Sequence, residues 1–406
     1  MSTEYEFLTE KNVGTYIASR PELQARIDGA RLAEVREIGD GNLNVVFHVT
    51  DADGRSMILK QSLPYVRMTG EGWPMTPDRA RREAESLVAH GAIRADLVVE
   101  VIGYDHDRYV LALEDLSDHR VWRGALNDGE YHDGVAAQLG EYVAGVAVGT
   151  SVLGMDRGDV AEAMARSQNA ELCVITEDLV FTEPVFDIGR NSVLPANEPD
   201  AAALAGDAVF ASAMSEAKWR FMTHAEALIH GDLHTGSVMV RGSGEAGDAA
   251  DSVKVFDSEF AFYGPIAFDL GALFANYAFA AARARALGED ERAAWALGLI
   301  DQTWQGFADT DLALSERWLE RDLFNRDFAE RRVAEILREA ALFASAKMAR
   351  RIVGAAKVAD IETLDPELRA PAARAVLSAA RALAARWDSV AGVRDIRDTL
   401  DAQILG

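Results

Sequence analysis

The run His230-Gly231-Asp232-Leu233-His234-Thr235-Gly236-Ser237 decides the reading of this chain. It follows an apolar segment, Ala227-Leu228-Ile229, so Asp232 is expected on a loop leaving a short strand. Further on, a second short strand at Val253–Val255 runs into Phe256-Asp257-Ser258-Glu259-Phe260. The polar, glycine-rich stretch 242–251 between them reads as a turn joining two strands. Phosphoryl transfer from a nucleotide needs one carboxylate to accept the acceptor hydroxyl's proton and further carboxylates to hold Mg²⁺ on the phosphates. Asp232 suits the first task, and Asp257 with Glu259 the second.

Protein kinases write this order as H-R-D-L-x-x-x-N followed by D-F-G. Here the spacing is kept while the chemistry shifts. Asp232 takes the place of the catalytic Asp, and Ser237 stands where the metal-binding Asn would be. A hydroxyl is a poor Mg²⁺ ligand beside a carboxylate. Glu259 replaces the Gly of D-F-G, so Asp257 and Glu259 together supply the expected metal ligands. With no second His or Cys at ligand spacing, His234 is expected to shape the loop. Asp269 reads either as the N-cap of a following helix or as a buttress for the catalytic loop, structural in both cases.

The upstream region supplies what a nucleotide needs. Residues 1–30 read as helical, with Thr9 or Asn12 as caps. The following 33–60 read as β, with strands at Val35–Ile38, Val45–Val49 and Met57–Lys60. Gly39-Asp40-Gly41-Asn42-Leu43-Asn44 is a G-x-G-x-x-N turn between two of these strands. Its glycines let backbone N–H groups approach phosphates, which makes Gly39, Asp40, Gly41, Asn42 and Asn44 candidate ATP contacts. Lys60 ends the return strand and is expected to grip the phosphates. A helix is predicted over Pro77–His90, capped by Thr76, and either Glu83 or Glu85 on it would pair with Lys60. Two more strands are predicted near Val98–Tyr104 and Tyr109–Glu114. Glu114, Asp115 and Leu116 follow, and their backbone is placed to meet the adenine edge.

Beyond residue 115 the pattern turns mainly helical, with helices predicted over 131–150, 156–170, 198–228, 268–287 and 289–306. The predicted fold is α+β and protein-kinase-like, with two lobes. Residues 1–115 form a small antiparallel sheet with one helix that binds the nucleotide. Residues 116–406 form a larger, mainly helical lobe that carries catalysis and substrate binding. A chain of 406 residues suits such a division.

Composition narrows the partners. The 41 basic residues against 66 acidic ones leave a net charge of −25, which repels nucleic-acid phosphates and anionic lipid. The single cysteine, Cys173, excludes an intrachain disulfide, and its run Leu172-Cys173-Val174-Ile175 reads as a core strand. No apolar run approaches a membrane span and the N-terminus has no apolar signal region, so a cytoplasmic location is expected.

Residues 225–237 resemble the catalytic loop of the 5-methylthioribose kinases, in the group that also holds aminoglycoside phosphotransferases and choline kinases. Other segments agree in order: 38–44, Gly72-Trp73-Pro74-Met75-Thr76, Glu114-Asp115-Leu116-Ser117, Phe181-Thr182-Glu183-Pro184, 259–265 and Lys347-Met348-Ala349-Arg350-Arg351. The resemblance implies ATP- and Mg²⁺-dependent phosphorylation of the anomeric O1 of 5-methylthioribose, in methionine salvage. It implies Asp232 as base or orienting carboxylate, Asp257 and Glu259 on Mg²⁺, Lys60 and the Gly39–Gly41 turn on the phosphates, and a homodimer. It also implies that the Trp73 loop closes beside the site and that Arg350 and Arg351 reach the sugar or the transferring phosphoryl group. On residue pattern alone those two arginines read as a solvated helix face. The chain departs from the family at Ser258, where Pro is usual, and at Ala267, where Gly is usual. A kinase for another 5-modified pentose such as 5-deoxyribose, an aminoglycoside-type phosphotransferase, and an inactive nucleotide-binding module are the alternative readings.

Overall fold

The computed structural model describes residues 5–38, 43–65, 72, 74–245 and 247–406. The turn residues Gly39, Asp40, Gly41 and Asn42, and Trp73, lie outside the described residues. The chain divides into two compact units, one of residues 1–119 with 254–261, the other of residues 120–253 with 262–406.

In the first unit, α1 (Val13–Ala18) and α2 (Pro21–Gln24) precede β1 (Leu32–Glu37), β2 (Asn44–Asp51) and β3 (Ser56–Ser62). Then come α3 (Arg79–Arg94), β4 (Val101–Asp105) and β5 (Val110–Leu113). Among the described residues the five strands form one antiparallel sheet in the order β1-β2-β3-β5-β4. Successive side chains of a strand point to opposite faces. Phe47 and Val49 of β2, Met57 and Leu59 of β3, and Val110 and Ala112 of β5 therefore share one face, buried against Val13, Ile17 and Leu23 of the short helices. Lys60, next to Leu59, points to the other face.

The strands predicted within this unit are all present, within a few residues of their expected limits. The helix predicted from Pro77 starts two residues later, at Arg79, and the Thr76 hydroxyl accepts from Asp78 N at 3.2 Å without capping the helix. Residues 254–261 join this unit through backbone bonds: Val255 N donates to Leu97 O (2.7 Å) and Val99 N to Val255 O (3.0 Å).

The second unit opens with β6 (Arg120–Val121), α4 (Trp122–Asn127), α5 (Val135–Gly149), α6 (Arg157–Arg166), α7 (Ala170–Thr176), α8 (Glu198–Ala205) and α9 (Ala208–Thr223). It continues with β7 (Ala227–Ile229), β8 (Val238–Arg241), β9 (Ser252–Val255), whose last two residues lie in the first unit, and β10 (Phe262–Gly264). The chain ends with α10 (Ala267–Ala286), α11 (Asp290–Leu314), α12 (Arg326–Val353), α13 (Ala359–Glu362), α14 (Pro366–Ala384) and α15 (Val393–Ile404). α10 is buried along almost its whole length and packs on α11 and α12. Phe181, Phe221, Phe268 and Phe343 meet in one aromatic cluster, with ring centroids 4.9 to 6.2 Å apart. Burial of each such ring stabilises the fold by roughly 1.5–3 kcal/mol.

Two expectations are corrected here. Residues 172–175 are not a strand but part of helix α7, with Cys173 only partly buried and Val174 51% exposed. Four consecutive apolar residues do not by themselves separate helix from strand. The helix predicted over 198–228 is instead α8, α9 and strand β7. The break falls at Gly206-Asp207, where the Asp207 carboxylate accepts from Val209 N (3.0 Å) and Phe210 N (3.2 Å) and caps α9.

Candidate active site

The candidate residues fall into two groups, one on each unit. On the first, the choice between Glu83 and Glu85 is resolved in favour of Glu83. Lys60 Nζ lies 2.8 Å from Glu83 Oε2 and also donates to Asp257 Oδ1. Glu85 pairs with Arg81 at 3.1 Å on the outer side of the helix. Arg79, Glu83, Ser86 and His90 recur at helical spacing as an inward polar stripe, each 0–1% exposed. Burial would lower the Lys60 pKa, but the carboxylates of Asp257, Glu83 and Glu259 outweigh it and raise the value. Burial raises Glu83 most, against the pull of Lys60, to about 7.

Asp257 has φ +66°, in the left-handed region that Asp tolerates better than most side chains. Glu259 accepts from Asn44 Nδ2 at 3.0 Å and lies 3.4 Å from Arg79 Nε. Asn44, a candidate nucleotide contact, is thus bound to the acidic motif, and its Oδ1 accepts from the Ser62 hydroxyl (2.9 Å). Ser258, the departure from the family's Pro, sits 2.7 Å from the Ser86 hydroxyl, so α3 also holds the middle of the acidic motif. Carboxylate oxygens of Glu83, Asp257 and Glu259 all lie within 4.8 Å of one another. Such a hard oxygen set fits a Mg²⁺ ion. Within this set the Lys60 ammonium engages both Glu83 and Asp257, while Glu259 is held by Asn44 and Arg79.

The candidate adenine segment has other side-chain partners. Asp115 accepts from the Ser56 hydroxyl at 2.6 Å and faces His48 Nε2 at 2.9 Å, Glu114 accepts from Glu100 N at 2.8 Å, and Leu116 is buried.

On the second unit, β7 delivers the chain into the loop at His230. Asp269 lies in the first turn of α10 and does not cap it. Its carboxylate accepts from His230 N (2.8 Å) and Gly231 N (3.1 Å), which is the buttress reading. Gly231 has φ +80°, a conformation costly for a residue with a Cβ. Asp232 then presents Oδ1 to Lys347 Nζ at 2.8 Å, and its Oδ2 lies 3.4 Å from His234 Nε2. Burial would raise the Asp232 pKa, but the charges of Lys347, Arg351 and Arg350 together hold it well below the usual carboxylate range. Burial keeps His234 neutral, with its pKa well below the ordinary value. The Ser237 hydroxyl lies 3.0 Å from His234 Nδ1, and His234 shapes the loop as expected.

Arg350 and Arg351, in the last turn of α12, are partly buried rather than solvated. Arg350 Nε and Nη1 are buried and make no hydrogen bond among the described residues. Lys347 had no expected role beyond its place in a matching run. Its spacing to Arg350 and Arg351 (i, i+3, i+4) is the signal that puts all three on one helix face. Arg123 carries no such signal in the sequence. It bonds Asn276 Oδ1 at 2.8 Å and faces Asp360 at 3.5 Å, and its Nη1 lies 2.8 Å from where a Cβ on Gly236 would stand.

A sheet-bearing unit with a buried Lys–Glu pair and an acidic motif, together with a helical unit carrying a buttressed loop aspartate, defines a phosphotransferase. Residues 34–308 match the phosphotransferase enzyme family. Methylthioribose kinase from Yersinia pseudotuberculosis is 40% identical over 380 residues, 90% of each chain. The Pectobacterium atrosepticum methylthioribose kinase is 40% identical over 373 residues, 89% of this chain and 90% of that one. Among solved structures, a choline/ethanolamine kinase family protein from Mesorhizobium loti is 15% identical, with a TM-score of 0.45 over 98% of this chain and 99% of that one. The chain belongs to the methylthioribose kinase family, whose members are ATP-dependent sugar kinases of α+β, protein-kinase-like fold. No helix among the described residues is long and apolar enough to cross a membrane.

Proposed function

We propose that this chain transfers the γ-phosphoryl group of ATP to the anomeric O1 hydroxyl of 5-methylthioribose, giving the 1-phosphate and ADP, in the cytoplasm and in methionine salvage. The support that carries this reading is the 40% identity to methylthioribose kinases over nine-tenths of the chain. In the step, the bond from O1 to the γ-phosphorus forms and the bond from that phosphorus to the β–γ bridging oxygen breaks. Asp232 orients the hydroxyl and takes its proton on the way to solvent. Lys60, held by Glu83, binds the phosphates together with Gly39 and Gly41, and Asp40, Asn42 and Asn44 are further ATP contacts. Glu114, Asp115 and Leu116 border the adenine. Asp257 and Glu259 would hold Mg²⁺, which neutralises phosphate charge when bound. Arg350, whose buried Nε and Nη1 make no hydrogen bond among the described residues, and Arg351 meet the sugar or the transferring group, and Trp73 contributes to substrate binding. Residues 1–119 with 254–261 act as the nucleotide lobe, which adds the acidic motif to the expected 1–115, and 120–253 with 262–406 act as the acceptor lobe, in a homodimer.

The test is ADP release with Mg·ATP against 5-methylthioribose, 5-deoxyribose, ribose, choline and kanamycin. The expected result is strong preference for methylthioribose and a 1-phosphate by ³¹P NMR. Preference for another acceptor overturns the substrate assignment.

A further inference from the structure

Lys347 is 6% exposed, and its ammonium group lies 4.3 Å from the centroid of the Phe268 ring as well as 2.8 Å from Asp232 Oδ1. Phe268 immediately precedes Asp269, whose carboxylate holds the backbone of His230 and Gly231. One turn of α10 therefore fixes both the loop that carries Asp232 and the cation that faces it. The groups around this carboxylate are Lys347, Arg350 and Arg351 from α12 and His234 from its own loop, with Asp269 and His230 behind them. Lys347 makes the shortest of these contacts and is a charged donor in a buried setting, where such bonds are strongest.

We propose that Lys347 is a positioning residue for phosphoryl transfer: it holds the Asp232 carboxylate through Oδ1 and leaves Oδ2 to the acceptor hydroxyl. The proposal rests on the assignment of Asp232 made above. Its chemistry follows from the character of the reaction. Phosphoryl transfer proceeds largely by loosening the bond to the leaving group, so the carboxylate has more to do in orienting the acceptor than in removing its proton early. A carboxylate for that task must be fixed and must stay ionised at the working pH. Lys347 supplies both, since it anchors one oxygen and its charge leads those that overcome the effect of burial.

The experiment compares Lys347→Met and Lys347→Arg by ADP release from pH 3 to 10, with whichever acceptor the wild type turns over. Lys347→Met is expected to lower kcat at least about 10-fold with the KM for ATP unchanged. It is also expected to move the acid limb of kcat/KM upward by about one pH unit or more, because Asp232 loses its main counter-charge. Lys347→Arg is expected to keep the acid limb in place and recover much of the rate. It should also hold activity further into the alkaline range, because a guanidinium does not deprotonate there. If Lys347→Met does not fold, Lys347→Gln keeps a polar donor without the charge and must show the same upward shift. A Met or Gln variant whose pH profile keeps the wild-type acid limb overturns the proposal. Failure of the underlying reading shows itself separately, as near-normal turnover in Asp232→Ala.

Discussion

Asp232→Ala is expected to bind ATP nearly as the wild type does and to lose at least ~10²-fold in turnover, the lower end for a positioned acid–base group. Near-normal turnover would remove Asp232 from the mechanism. Glu259→Gln keeps the size of the side chain and its contacts with Asn44 and Arg79 but replaces a charged ligand by a neutral one. It is expected to raise the Mg²⁺ concentration needed for half-maximal rate, read by titration at saturating ATP. An unchanged titration would sink the idea that Glu259 stands in for the Asn that Ser237 replaces. At this scale the sequence was most legible where chemistry dictates residue type. The carboxylates, their spacing and Lys60 could be named directly, whereas the residue that each one touches could not. Glu83 and Glu85 are two positions apart on one helix, and only their opposite orientations separate an ion pair with Lys60 from one with Arg81.

Helices α10 and α12 carry Asp269, Phe268 and Lys347, so their separation sets the geometry of the loop. At Gly271 the two helices approach closely. A Cβ there would lie 2.7 Å from Phe343 Cβ and 2.8 Å from both Ala340 O and Ala344 N. Two of those atoms are backbone, so the helices would have to part. Overpacking of this kind costs about 1–3 kcal/mol. Gly271→Ala is expected to lower the melting temperature and, because Lys347 and Asp269 ride on the displaced helices, to lower kcat as well. A wild-type melting temperature would mean that the packing yields without cost. Element limits were partly legible. Gly206-Asp207 ends one helix and caps the next, a signal present in the sequence but outweighed by the apolar periodicity on both sides. Residues 172–175 lie in a helix that the sequence does not announce, because a short apolar run carries no period long enough to choose between helix and strand.

For the molecule as a whole, pH dependence of stability has an identifiable source in the second unit. Glu339, 3% exposed, pairs with Arg220 and lies 3.7 Å from His224. Burial, helped by Glu226 and opposed by Arg220, raises its pKa from 4.5 to about 7. A carboxyl raised on folding binds its proton more tightly in the native state. The stability it contributes is fully present below about pH 4.5 and is lost as the pH rises to about 7. Glu339→Gln stays neutral throughout, so the melting temperature of the wild type is expected to fall relative to this variant between pH 5 and pH 8. Parallel melting curves across that range would show that Glu339 ionises without cost. The same scale explains the placement of the acidic motif. Residues 254–261 sit in the chain amid the second unit yet belong to the first, because Val255 bonds to Leu97 and Val99.

The sequence by itself determined the kind of chemistry, because a loop aspartate, a D-x-E motif and a strand lysine at these spacings suit few tasks other than phosphoryl transfer. It also determined most strands, whose alternation and turns are local properties. Tertiary structure alone decided that Glu83 holds Lys60, that Asp269 buttresses the loop, that Ser86 meets Ser258 and that Lys347 faces Asp232. The Asp232–Lys347 contact joins residues 115 positions apart, and the Ser86–Ser258 contact residues 172 apart. Residue type and local period state what a side chain is able to do. Which partner it meets depends on how buried faces pack, and packing is a property of the folded chain.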